Sequence, residues 1–172
     1  YEGLVLREEG RFAEALPLLE ARVRRAEGRG RRHRSAAYGF DLGLTLHGLG
    51  DLEGAWSRCE GSLRAFWEMG EMATLARVLD GMAALAWDRG RGADAPRLWG
   101  GAEAVRQRHG FFWAPVDRAR FERCSAPVRA ALGEAVFAAA WEEGLALSVE
   151  EAVALALSQE RGSGRDAWAK GM

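Results

Sequence analysis

Residues able to do covalent chemistry are few in this chain, and they are scattered. It has three histidines, His33, His47 and His109, two threonines and a handful of serines. Nucleophilic catalysis needs a nucleophile, a base and a group that orients the base, and no segment brings the three types together. Glu142-Glu143 and Glu150-Glu151 are adjacent pairs, and neighbours on a helix point to different sides. They read as surface charge and helix-start acid, not as a carboxylate dyad. Cys59 and Cys124 belong to no CxxC or Cys/His cluster, so we expect buried free thiols and no metal. No GxxxxGK[ST] phosphate loop is present. The expectation is a protein without enzymatic activity or cofactor.

Charge is where the residues do cluster. Arg22, Arg24, Arg25, Arg29, Arg31, Arg32, His33 and Arg34 fall within thirteen positions. Guanidinium groups hold phosphates and carboxylates through paired donors, so Arg29, Arg31, Arg32 and Arg34 form a candidate patch for an anion or an acidic partner. The bland alternative is a solvated loop over 28–34, with Glu20 and Glu27 diluting the field. The chain carries 23 Arg against one Lys, and no Asn or Ile. That bias fits GC-rich coding DNA and warns against giving every arginine a ligand. The net charge of −1 favours neither nucleic acid nor membrane. No aromatic residue is interleaved in the run, as stacking on single strands would require. We expect no direct nucleic-acid binding.

The elements that must position these groups follow a fixed period. Gly10, Gly50 and Gly90 recur every 40 residues. A small residue stands seven positions before each (Gly3, Gly43, Ala83), and an alanine five positions after (Ala15, Ala55, Ala95). A period of this size is the mark of stacked repeats. Ala, Leu, Glu and Arg dominate and favour helix. The pattern predicts hairpins of helices over about 1–9 and 12–27, 35–49 and 52–69, and 72–89 and 93–109. Each turn glycine would take the left-handed conformation at a helix end. Beyond Gly110 the repeat breaks at the aromatic corner Phe111-Phe112-Trp113, which either seals the stack or forms an exposed patch. Helices are expected over about 116–131, 134–144 and 149–160, the last opened by the capping box Ser148-Val-Glu-Glu151. The fold class is therefore all-α. Three hairpins over 1–110 would be followed by capping helices over 111–160 and a frayed tail over 161–172. No apolar run reaches the roughly 18 residues of a membrane span. The chain begins at Tyr1 without a methionine, which leads us to expect a fragment or processed product.

The spacing Leu42-Gly43 … Leu49-Gly50-Asp51-Leu52-Glu53-Gly54-Ala55 resembles the tetratricopeptide repeat. The period of 40 exceeds that family's 34, and Leu6, Leu46 and Ala86 stand at its tyrosine position, which points to a divergent branch. The stretch Leu132-Gly-Glu … Phe137-x-x-x-Trp141 … Gly144 … Leu147-Ser148-x-Glu-Glu-Ala152 resembles the C-terminal ending of large bacterial transcriptional regulators and signal-transduction ATPases of LuxR or SARP type. The resemblance implies a right-handed superhelix of hairpins in a cytoplasmic, non-catalytic module for protein–protein interaction. Partners would be another protein or upstream domains of the parent chain, with a homodimer as a further possibility. A small effector held in the concave groove is the alternative. Projecting that family's groove onto this chain selects Arg7, Phe40, His47, Arg77, Asp80 and Trp87 as partner-contacting residues.

Overall fold

A computed structural model describes residues 1–158. Nine α-helices fill these residues, and no strand occurs among them: α1 (Glu2–Glu8), α2 (Phe12–Glu27), α3 (Arg32–Gly48), α4 (Leu52–Met69), α5 (Met72–Asp88), α6 (Asp94–His109), α7 (Pro115–Leu132), α8 (Glu134–Leu145) and α9 (Val149–Leu157). The chain is all-α, as expected, and most helix ends fall within a residue or two of the sequence-based ones. The expected tail over 161–172 and the last residues of the 149–160 helix lie outside the described residues. No helix among the described residues is long and apolar enough to cross a membrane.

Left-handed glycines set the helix lengths. Gly10, Gly30, Gly50, Gly70, Gly90 and Gly110 all have positive φ, between 62° and 87°. Only a residue without Cβ takes that conformation at little cost, so one helix plus its turn occupies 20 positions. The period of 40 seen in the sequence is two such steps. At Gly50 the stop is followed at once by a start, because the Asp51 carboxylate accepts from the Gly54 N–H at 2.9 Å and caps α4.

The helices divide into two compact units, Tyr1–Glu71 and the chain from Met72 onward. The expected three-hairpin segment 1–110 is thereby split, with hairpins one and two in the first unit. In that unit α1 packs on α2, α2 on α3 and α3 on α4. Leu6, Ala15, Leu19, Val23 and Leu42 make its core, with Leu4, Leu16, Tyr38 and Leu46 against them. The small residues act as the repeat demands. A Cβ on Gly43 would stand 2.6 Å from Cys59 Sγ and 3.2 Å from the Ala55 carbonyl oxygen, so α3 and α4 approach closely only because position 43 is bare.

In the second unit the third hairpin, α5–α6, shares its packing with the C-terminal helices, since α6 lies on α8 and α9, and α5 on α7 and α9. The closest helix–helix approach we find is at Gly100 and Gly144, where a Cβ on either would run into backbone of the other helix. Trp99, Phe121, Phe137 and Trp141 form an aromatic cluster with ring centroids 5.6–6.3 Å apart. The Ser148–Glu151 capping box is present, with Glu151 N–H donating to Ser148 Oγ at 3.1 Å and Ser148 N–H to Glu151 Oε2 at 2.7 Å. The expected aromatic corner divides: Trp113 packs on Phe121 at 5.2 Å, whereas Phe112 is 94% exposed.

Candidate functional site

Arginines sort themselves in the first unit. Arg7 meets Asp41 and Glu8, Arg11 meets Glu9 and Glu14, Arg24 meets Glu20, Arg32 meets Glu68, and Arg64 meets Glu60. Arg22, Arg25, Arg29, Arg31, Arg34 and Arg58 meet no carboxylate among the described residues. All six unneutralised arginines line two neighbouring hollows. A charge left over from random surface decoration would have no reason to be gathered in this way.

The larger hollow is a groove of about 580 Å³. Its floor is the N-terminal half of α3 (Ser35, Ala36, Gly39), and its walls are the end of α2 (Val23, Glu27) and the middle of α4 (Ser57, Arg58, Gly61, Ser62). Small floor residues create the space. A Cβ added at Gly61 would meet nothing. Ser62 is held by donating to the carbonyls of Ala36 at 2.8 Å and Arg58 at 2.9 Å. Arg31, Arg32 and Arg58 stand along the groove, with Glu27 as its one acid.

The smaller hollow, about 210 Å³, is lined by Arg22, Arg25, Ala26, Arg29, Arg31, Arg34 and Tyr38, with no acid. Arg22 and Arg25 come from α2, Arg29 and Arg31 from the connection, and Arg34 and Tyr38 from α3. The Arg22 guanidinium lies 4.3 Å over the Tyr38 ring, and its Nη2 donates to Tyr38 Oη at 3.1 Å. Arg22 Nη1 is buried without a hydrogen-bond partner. The local backbone sharpens the field. Helix α3 opens Arg32-His33-Arg34, has no acid in its first turn, and has no side chain capping it. A helix start favours negative charge, so this run opposes the dipole and leaves the end of the helix electropositive. The expected loop over 28–34 is correspondingly shorter, because Arg32 and Arg34 already belong to α3.

The projected groove residues have other surroundings. Phe40 is 2% exposed and Asp80 5%, so neither is presented to a partner, which corrects the expectation for both. Asp80 pairs with Arg106, whose guanidinium lies 3.5 Å over the Trp113 ring. Trp113 in turn donates through Nε1 to Glu103 at 2.9 Å. Burial pushes the Asp80 carboxyl up to about 7, against the pull of Arg106 and Arg120. Arg77 Nε stands 2.9 Å from the buried carboxylate of Asp117, which also accepts from Arg120 at 2.8 Å. Arg7 is drawn down onto Asp41 at 3.2 Å. His47 is half-buried in the last turn of α3. Trp87 is half-buried and covers the turn, such that a Cβ on Gly92 would touch its ring at 3.5 Å. A projection from register alone could not see these internal partners, several of which come from α6 and α7.

Arg29, Arg31, Arg32 and Arg34 are all exposed, and each lines one or both hollows. Arg58, Tyr38 and Gly61 were not singled out from the sequence. Tyr38 supplies the aromatic ring absent from the linear run, since it lies one turn beyond Arg34. No group of three or more His, Cys, Asp or Glu able to hold a metal comes together among the described residues. Cys59 is buried and Cys124 half-buried, neither in a disulfide, and burial pushes the Cys124 thiol up. Comparison with family models, with curated proteins and with solved structures gives no match.

Proposed function

We propose that this chain is a non-catalytic, tetratricopeptide-like regulatory module that binds a negatively charged partner on the surface formed by α2, α3 and α4. In this reading its hairpins stack as a right-handed superhelix with α7–α9 as the C-terminal cap. The module would serve as the interaction arm of a cytoplasmic bacterial transcriptional regulator. The observation that carries the binding role is the sorting of arginines: every guanidinium in the first unit without an acidic partner faces one of two adjoining hollows. Keeping like charges together lowers stability, so such a cluster is a reason to look for an external anion.

An acidic segment of a protein is the occupant that suits the groove. Ala36 and Gly39 on the floor and Gly61 on the α4 wall leave room for an extended backbone, and Arg31, Arg32 and Arg58 along the groove would pair with its acidic side chains. The test is fluorescence anisotropy of a labelled glutamate-rich peptide at several salt concentrations. Binding should weaken as salt rises, and Arg31→Glu with Arg58→Glu should weaken it at least tenfold. A peptide that does not bind, or binds the double variant equally well, refutes the reading.

The size of the groove favours a second reading, a small effector. A volume of about 580 Å³ lies within the range of roughly 300–1,000 Å³ typical of small-molecule sites. A thermal-shift screen against nucleotides, sugars and metabolites tests it. A ligand at about 100 times its Kd adds about 2.7 kcal/mol, and Arg58→Ala should remove that gain.

A further inference from the structure

We infer that the smaller hollow is a phosphate subsite, shaped for the phosphomonoester end of a small molecule. This deepens the small-effector reading of the α2–α4 surface and rests on the anion-binding role proposed there. Five guanidinium groups, those of Arg22, Arg25, Arg29, Arg31 and Arg34, line about 210 Å³ with no carboxylate among the lining residues. A carboxylate would offset one of those charges. A phosphomonoester brings close to two negative charges and three acceptor oxygens in a similar space, so it satisfies more donors for the room it takes.

Donor geometry is already set on one side. Arg22 is fixed by stacking on Tyr38 and by the bond from its Nη2 to Tyr38 Oη. Its Nη1 is buried and has no partner in the protein, so the guanidinium is held in place with part of its donor capacity unused. Because Tyr38 Oη accepts from Arg22, its own proton remains available to an incoming oxygen. The other four arginines are long and unpaired, and they converge from both sides of the turn at Gly30. Arginines of the same sequence run that are neutralised locally, Arg24 by Glu20 and Arg32 by Glu68, do not line this hollow. The adjoining groove, reached past Arg31, leaves room for whatever carries the phosphate.

The test is titration of the whole chain with inorganic phosphate, followed by ³¹P NMR and calorimetry at constant ionic strength. Saturable binding is expected, stronger as pH rises through the second ionisation of phosphate. Sulfate, a dianion throughout, should bind without that pH dependence. Arg25→Ala with Arg34→Ala should weaken phosphate at least tenfold, Tyr38→Phe several-fold, and Arg24→Ala less than twofold. Equal weakening by Arg24→Ala would mean a diffuse positive field and would overturn the subsite. Absence of phosphate binding while the glutamate-rich peptide still binds would overturn it and leave the broader reading standing; failure of both probes removes both. Adenosine monophosphate should displace pyrophosphate at lower nucleotide concentration than a short DNA duplex. The reverse order would overturn the assignment to a small phosphomonoester.

Discussion

Replacing Gly144 by alanine adds one methyl group at the tightest helix contact of the second unit. The new Cβ would run into the Arg97 carbonyl oxygen and would stand 2.9 Å from both the Arg97 carbonyl carbon and the Gly100 Cα. Every one of these obstacles is backbone, so no side-chain rotation relieves them. Ordinary carbon contacts lie near 3.5–4.0 Å, so α6 and α8 must part by roughly 1 Å. A gap of that size forfeits a quarter to a half of each dispersion contact along the interface, and overpacking of this kind costs about 1–3 kcal/mol or more. Alanine's better helix propensity returns only about 1 kcal/mol. The expected net effect is a loss of up to about 2 kcal/mol. Gly61→Ala is the matched control: it lies inside α4 with nothing near its added Cβ, so propensity alone acts and stability should rise by about 0.5–1 kcal/mol. Urea unfolding followed by far-UV circular dichroism measures both midpoints. If Gly144→Ala unfolds at or above the wild-type midpoint, the helix contact is looser than described and the reasoning is wrong.

Arg91 is 4% exposed and donates to Asp94 at 2.8 Å and to the carbonyls of Ser158 at 2.8 Å and Leu155 at 2.9 Å, holding the end of α9. Arg91→Ala should cost about 3–5 kcal/mol, with hydrogen exchange of α9 rising first; unchanged α9 protection would sink this account. Asp80 is held up at about 7 by burial, against about 3.9 in an unfolded chain. The folded state therefore binds its proton more tightly. The contribution of Asp80 to stability should be fully present below about pH 4 and be lost as pH rises through about 7. Asp80→Asn should flatten that slope, and an unaltered slope would assign the decline to another group. Ser148→Ala removes the α9 cap and should lower stability by about 1 kcal/mol, read as a shift in the thermal midpoint.

The helices were legible because their stops are chemical. A glycine that must take positive φ marks a helix end with little ambiguity, which is why 12–27 and 52–69 agree with the structure to the residue. The intermediate stops at Gly30, Gly70 and Gly110 were harder to recognise as the same device, since the small residue before and the alanine after accompany only Gly10, Gly50 and Gly90. The start of α3 was misread for a physical reason. Arg31 through Arg34 offers no capping side chain and opposes the helix dipole, so local rules favour a loop there. The burial of Ala36, Gly39 and Phe40 overrides them.

Local misfit and binding surface coincide at that same point. A helix that begins against its own dipole is stabilised by anything negative that settles on it, and α3 begins with Arg32, His33 and Arg34. Arg32 is compensated by Glu68 of α4, and His33 stands 3.9 Å from Glu71, which lies just beyond the end of that helix. Arg34 is not compensated, and it turns instead toward the hollow shared with Arg22, Arg25, Arg29 and Arg31. The sequence shows the run but not this division, because Glu68 stands 36 residues from Arg32 and reaches it only once α3 and α4 are paired. Folding of the hairpin thus decides which arginines are neutralised and which remain for a ligand. It follows that Glu68→Gln should release Arg32 to the groove and tighten anion binding there, while Glu20→Gln, which frees Arg24 away from both hollows, should not. Titration of the two variants with the glutamate-rich peptide, which reads the groove, separates these cases, and equal tightening by both would show that net charge, not the arrangement of α2–α4, governs binding.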